Sequence, residues 1–176
     1  RNANAADCMM SHPRHVDLVV IGDGPAGSAL ACACRARGVE VVLIGPDDEW
    51  NATYSTWIDD VQGVEAIGDV DGVLGRRLEA MAVYTAQPVE IARPYGVFDN
   101  GRLRACLREG VEHMAGTVVD VRSPAGDRHR VVLADRSELR ARLVVDTSGW
   151  PSSFARLAGT TPPAWQTAIG VVLAEP

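Results

Sequence analysis

Two stretches of this chain hold the residues best placed to do chemistry. The first is Gly22-Asp-Gly24-Pro-Ala-Gly27, with the spacing G-x-G-x-x-G. Gly22 would make a tight turn, Gly24 would let backbone approach a diphosphate, and Gly27 would let a helix pack closely on a strand. Pro25 suits a first helical turn, where its missing N–H costs nothing. Free amides there, including that of Ala26, and the positive end of the helix dipole favour a phosphate. The second stretch is Trp50…Tyr54-x-x-Trp57-Ile-Asp59-Asp60. Trp50, Tyr54 and Trp57 stand at i, i+4 and i+7 and would share one face of a helix. Rings beside carboxylates suit a site that handles a carbocation: the ring faces stabilise positive charge, and Asp59 or Asp60 moves a proton. The competing reading is an aromatic core stripe with one of the acids capping the next helix.

The elements around the glycines fit their expected role. Val16 to Ile21 reads as a buried strand, Pro25 to about Arg37 as a small-residue helix closed by Gly38, and Val39 to Ile44 as a second apolar strand. This is a βαβ unit, which distinguishes the motif from an isolated glycine-rich turn. Such a unit usually presents an acid at the end of its second strand, roughly 20 residues past the first glycine, to bind ribose hydroxyls. Gly45 stands there instead, followed by Pro46, Asp47, Asp48 and Glu49. Asp47 could reach the ribose from the loop, the adenosine could be held by backbone alone, or Asp47 could be a solvated turn residue.

Further along, Val61 to Ala80 reads as mixed helix and loop, broken by glycines. Short strands are predicted at 81–85 and 89–92, a turn at Arg93-Pro-Tyr-Gly96, and a helix from Arg102 to His113 capped by Asp99 or Asn100. Thr117 to Val121, which includes Val119, Arg130 to Leu133 and Leu139 to Val145 read as three strands. Asp146-Thr-Ser-Gly149 ends the last of them. Ligands bind at the carboxyl ends of strands in an open parallel sheet, so this turn is expected near the glycine loop; the bland alternative is an ordinary strand-end turn.

Composition narrows the function classes. A chain of 176 residues can bury one real core. A net charge of −6 and a pI near 5.2 argue against nucleic-acid binding. Cys8, Cys32, Cys34 and Cys106 show no C-x-x-C spacing and read as free thiols of a reducing cytoplasm. The histidines are scattered, so no metal site is expected. No G-x-S-x-G nucleophile elbow is present, and no apolar run is long enough to span a bilayer. The start at Arg1, with Met9 and Met10 just ahead of the first strand, suggests an upstream leader; the stop after the strand-like run 168–174 suggests a fragment of a longer protein.

Together these motifs resemble the flavoprotein lycopene cyclases, the plant- and bacterial-type β-cyclases of carotenoid biosynthesis. The resemblance rests on Asp17 through Gly27, on Trp50…Asp60, on Arg93-Pro-Tyr-Gly96, on Val145-Asp-Thr-Ser-Gly149 and on Trp165-Gln-Thr-Ala-Ile-Gly170. It implies an α/β, Rossmann-like FAD/NAD(P)-binding domain of the flavoprotein hydroxylase type with added antiparallel strands. Residues 1–15 would be a disordered leader, and 16–176 the FAD-binding domain, cut before the rest of the substrate domain. It implies FAD in its reduced form, with NADPH as reductant, and cyclisation of the acyclic ψ ends of lycopene to β-ionone rings without net redox change, an isomerase-type reaction. Gly22, Gly24, Pro25, Ala26, Gly27, Asp47, Val119, Asp146 and Gly149 would bind the cofactor. Trp50, Tyr54 and Trp57 would meet substrate, and Asp59 and Asp60 would be catalytic. Lycopene is apolar, so a cytoplasmic protein in peripheral contact with a membrane is expected, with no nucleic acid or metal partner. The chain departs from the family at Gly45 and at Asn100, where an acid and an arginine are usual. It also lacks the Phe-Leu-Glu-Glu-Thr-type motif that carries the catalytic acid, so the chain alone is expected to be inactive. Two other readings remain: an FAD-dependent monooxygenase or polyprenyl reductase, and a non-catalytic dinucleotide-binding module.

Overall fold

The computed structural model describes residues 13–84 and 86–149. The chain runs through β1 (Arg14–Ile21), α1 (Pro25–Ala36), β2 (Val41–Gly45), β3 (Ser55–Trp57), α2 (Ile58–Val61), α3 (Val70–Val73) and β4 (Leu74–Leu78). It continues through β5 (Met81–Val83), β6 (Val89–Ile91), β7 (Tyr95–Phe98), α4 (Asn100–Arg108), β8 (Glu112–Ala115), β9 (Val118–Arg122), β10 (His129–Leu133) and β11 (Glu138–Asp146). The fold is the expected α/β, Rossmann-like class with added antiparallel strands.

Parallel strands in the order β8-β2-β1-β11 form its centre. Leu18 to Ile21 and Val41 to Ile44 are all buried, as strands covered on both faces must be. On one face, Ala31 of α1 packs against Leu18, Val20, Val41 and Leu43. On the other, Val118 of β9 and Val131 and Leu133 of β10 pack against Val16, Val19, Ile21, Val42 and Ile44. The second cover follows from a short link. Only Gly116 and Thr117 join β8 to β9, a reach of about 11 Å at ~3.8 Å per Cα step. In a flat sheet ordered β8-β2-β1-β11-β10-β9 those two strands would lie about 24 Å apart. The sheet therefore curls, and the β9-β10-β11 meander folds back over the parallel strands.

A smaller antiparallel sheet, β3-β7-β4, and a β5-β6 hairpin sit between β2 and α4 in the chain. Ile58, Val70 and Leu74 make a local core beneath the smaller sheet. Val73, Leu103 and Leu107 tie α3 to α4, with Trp50 and Ala29 packed against them.

Several local expectations change. Residues 50–54 are not helical, and Ser55–Trp57 is a strand paired with β7; β-sheet pairing overrides the i, i+4, i+7 pattern there. Arg93-Pro-Tyr-Gly96 is less a turn than the entry to β7, because Tyr95 and Gly96 pair on both sides. The predicted helix to His113 stops at Arg108; Gly110 takes φ +65°, and Glu112–Ala115 becomes the edge strand β8. The mixed 61–80 stretch contains the strand β4. Arg14 and His15, expected in the leader, already belong to β1. Residues 1–12 of that leader, with Cys8, lie outside the described residues, as do the run 168–174 and the Trp165 motif.

Candidate dinucleotide site

The glycine loop is shaped by backbone crowding. Gly22 takes φ +102°, and a Cβ there would come within 2.6 Å of the Thr147 and Ser148 backbone. A Cβ on Gly27 would overlap the Gly22 carbonyl oxygen and come 2.5 Å from Thr147 Oγ1. Beside Gly24 there is nothing within 4 Å. Two glycines are thus needed for close packing, and the third leaves open space at the start of α1. Gly24 caps that helix without a side-chain acceptor, so its first amides have no partner within the helix. This cradle fits a dinucleotide diphosphate.

The strand-end turn closes on the loop as expected. Thr147 donates its hydroxyl to the carbonyls of Ile21 (2.9 Å) and Gly22 (2.8 Å), and its amide to Ile21 O (2.7 Å). Asp146 Oδ1 accepts from the Ser148 amide and hydroxyl, and Gly149 takes φ +91°. Val119, in contrast, lies on β9 and is 56 % exposed.

Next to the loop lies a polar cluster centred on Asp23. Its residue is 7 % exposed. Oδ2 accepts from Arg108 Nη2 (2.7 Å) and the Asp47 amide (3.1 Å), and faces His113 Nε2 at 3.1 Å. The Asp23 carbonyl accepts from Trp50 Nε1 (3.1 Å), Arg108 Nη2 (2.9 Å) and Ser28 Oγ (3.2 Å). Asp47, at φ +64° and exposed, binds Arg108 Nη1 at 2.7 Å and also Arg104. The Arg108 hydrogen bond holds the Asp47 carboxyl below the usual carboxylate range. The ligand atoms of Asp23, Asp47 and His113 lie close enough to hold a cation, but the guanidinium of Arg108 already binds both carboxylates. That donor set favours arginine over metal.

The aromatic and acidic residues divide between two places. Trp50 and Tyr54 meet edge-on, with ring centroids 5.9 Å apart, and Arg108 lies over Trp50. Asn100 donates from Nδ2 to the Trp50 and Ala52 carbonyls, so it braces this loop. Trp57 pairs instead with Tyr95 at 5.0 Å, and Tyr95 Oη shares a 2.8 Å hydrogen bond with Ser55 Oγ. Arg93 stacks 4.8 Å from the Trp57 ring, binds Asp59 through Nε at 2.9 Å, and holds Asp60 through Nη2. Both acids are exposed, and Arg93 lowers the Asp59 pKa. Two motifs far apart in the chain, Trp57-x-Asp-Asp and Arg-Pro-Tyr, thereby become one constellation.

A model of the family described as lycopene cyclase protein matches residues 17–175. The chain belongs to the lycopene cyclase family. It is 32 % identical over 89 % of its length to a lycopene beta cyclase of Synechococcus elongatus. It is 33 % identical over 91 % of its length to a protein of Deinococcus radiodurans named as an uncharacterized carotenoid cyclase. It spans 39 % of either relative. Among solved structures, PqsL of Pseudomonas aeruginosa, described as a "probable FAD-dependent monooxygenase", superposes with a TM-score of 0.65 at 21 % identity. That alignment covers 80 % of this chain and 44 % of PqsL, and it bears on the fold.

For this family member, sequence reasoning missed Asp23, Arg104, Arg108, His113 and Thr147. One signal was legible: an acid inside the glycine motif together with a glycine where the strand-end acid is usual. A Cβ on Gly45 would overlap the Asp23 carboxylate, so the loop acid and the strand-end glycine share one space. The partners of Asp23 on α4 and β8 are too distant in sequence for any local pattern to find.

Proposed function

We propose that this chain is the FAD-binding part of a carotenoid cyclase that closes the ψ ends of lycopene into β rings. The reading is carried by the family match over residues 17–175, joined to a diphosphate cradle at Gly22–Gly27. Gly24, Ala26 and Gly27 offer backbone amides to the diphosphate; Gly22, whose own amide donates to the Ile44 carbonyl, and Pro25, which has no N–H, shape the turn that presents them, and Asp146 and Gly149 lie beside the same loop. FAD, reduced by NADPH, supplies an electron-rich surface and a means of moving charge or protons without net oxidation of substrate. The chain's own contribution to the chemistry is the Trp57–Tyr95–Arg93–Asp59–Asp60 constellation. Arg93 already covers one face of Trp57; the other ring faces would stabilise a substrate cation. Arg93 keeps Asp59 ionised, which suits Asp59 to receive the proton lost after ring closure rather than to donate the first one.

Trp50 and Tyr54 form a separate pair beside Asp23, where they would line the dinucleotide side of the site. Among the described residues no helix is long and apolar enough to cross a membrane; a bilayer-dissolved substrate makes peripheral membrane contact of a cytoplasmic protein the expected arrangement. Expression of the intact protein in lycopene-accumulating cells tests the reading. Cyclic carotenoid formed without oxygen supports it, and Asp59→Asn lowers the yield. Oxygen-dependent products would overturn it in favour of a monooxygenase, and an intact protein that takes up no FAD would overturn it outright. Recovery of all the protein from the cytosol, with none in a carbonate-resistant or carbonate-released membrane fraction, would refute the membrane contact alone.

A further inference from the structure

The structure assigns the ribose of the bound dinucleotide to Asp23, a carboxylate moved from the end of β2 into the glycine loop. This rests on the dinucleotide reading of the Gly22–Gly27 cradle and goes beyond it by naming the group that reads the sugar. Three observations carry it. First, the place where a strand-end acid would start is filled: a Cβ on Gly45 would overlap the Asp23 Cβ, Cγ and Oδ1. The Asp23 carboxylate thus occupies the volume that a carboxylate grown from β2 would need, and Gly45 is glycine because Asp23 is there. Second, Asp23 is held as an acceptor through one of its two oxygens. Arg108, His113 and the Asp47 amide all converge on Oδ2, which leaves Oδ1 outside that network, on the side of Gly45. Third, the charge is arranged for an anionic ligand. An unpaired carboxylate beside the diphosphate cradle would repel it. Arg108 cancels that charge while leaving Oδ1 directed at the strand end. Asp47, the other acid of the region, is committed to Arg108 and Arg104.

Ribose hydroxyls donate, and a carboxylate oxygen outside the Arg108 network is the acceptor they need. The same cluster could instead read a 2′-phosphate through Arg104 and Arg108, which makes a different prediction for phosphorylated nucleotides.

The test is competition against FAD fluorescence in the intact protein, using ADP, 2′,3′-dideoxy-ADP and adenosine 2′,5′-bisphosphate. The readout is the ratio of affinities, which general damage to the fold does not move. Wild type should prefer ADP over the dideoxy nucleotide by about tenfold or more. Asp23→Ala should bring that ratio to within about twofold of unity, and Asp23→Ala with Gly45→Glu should restore most of it by returning the acid to the strand end. An unchanged ratio in Asp23→Ala would overturn the assignment while leaving the FAD reading intact. Adenosine 2′,5′-bisphosphate binding tighter than ADP would overturn it in favour of phosphate recognition by the arginines. If the wild-type protein takes up neither FAD nor ADP, the cradle reading fails and this assignment falls with it.

Discussion

The glycine cradle and the Arg93 constellation use the same residue types, arginine, aspartate and tryptophan, to different ends. At the cradle, Arg108 and Asp23 have side chains only 13 % and 10 % exposed, and backbone atoms of β1 and the Thr147 turn leave no freedom. On the small sheet, Arg93 clasps Asp59 and Asp60 in the open, with side chains 35 %, 57 % and 54 % exposed. One arginine–aspartate pair is therefore buried beside the glycine loop, and the other stands open to solvent. Burial makes the first pair costly to break, whereas solvent screens the second and leaves its carboxylates accessible.

Changes ranked by effect should separate the two. Gly27→Val forces a side chain into the Gly22 carbonyl and Thr147; about 3 kcal/mol of stability and all measurable FAD uptake should be lost in denaturation and flavin titrations. Arg108→Ala leaves Asp23 buried without its guanidinium, and urea unfolding should show a loss of about 3–5 kcal/mol. A loss no larger than that of an exposed pair would erase the distinction. Arg93→Gln should leave the unfolding midpoint close to wild type, yet move the Asp59 titration back up towards an ordinary carboxylate in an NMR pH series. It should also cut cyclic product in lycopene-accumulating cells.

The smallest effect is on the acid side. Asp47, Asp59 and Glu112 are all lowered by hydrogen bonds from Arg108, Arg93 and Arg14 respectively. A lowered folded-state pKa gives stability that is complete above the unfolded value, about 4, and is lost as pH falls through the folded value. Thermal midpoints should be flat from pH 7 to 5 and fall below about pH 4, with Arg93→Gln removing the Asp59 share.

The same contrast governs what could be read in the sequence. β1, α1 and β2 were legible because each is specified locally: an apolar run, a glycine turn, a proline at the helix start. The meander was legible for the same reason, with turn residues at Gly126 and Asp135. β8 was not. It is four residues long, partly exposed, and follows directly on a helix; only its place beside β2 makes it a strand. The Trp50–Trp57 spacing misled because a helical period in a short segment cannot outweigh pairing with β7. Asp23 was hidden because its partners Arg108 and His113 are 85 and 90 residues away. The Arg93 constellation was half legible: both motifs were visible, but not their meeting.

The wall that shapes Gly22 is supplied by Thr147, 125 residues downstream. Contacts that distant form late, because a long loop must close before they gain anything. During synthesis the glycine motif therefore emerges early as a bare turn, and becomes a pocket only when β11 has slotted in beside β1.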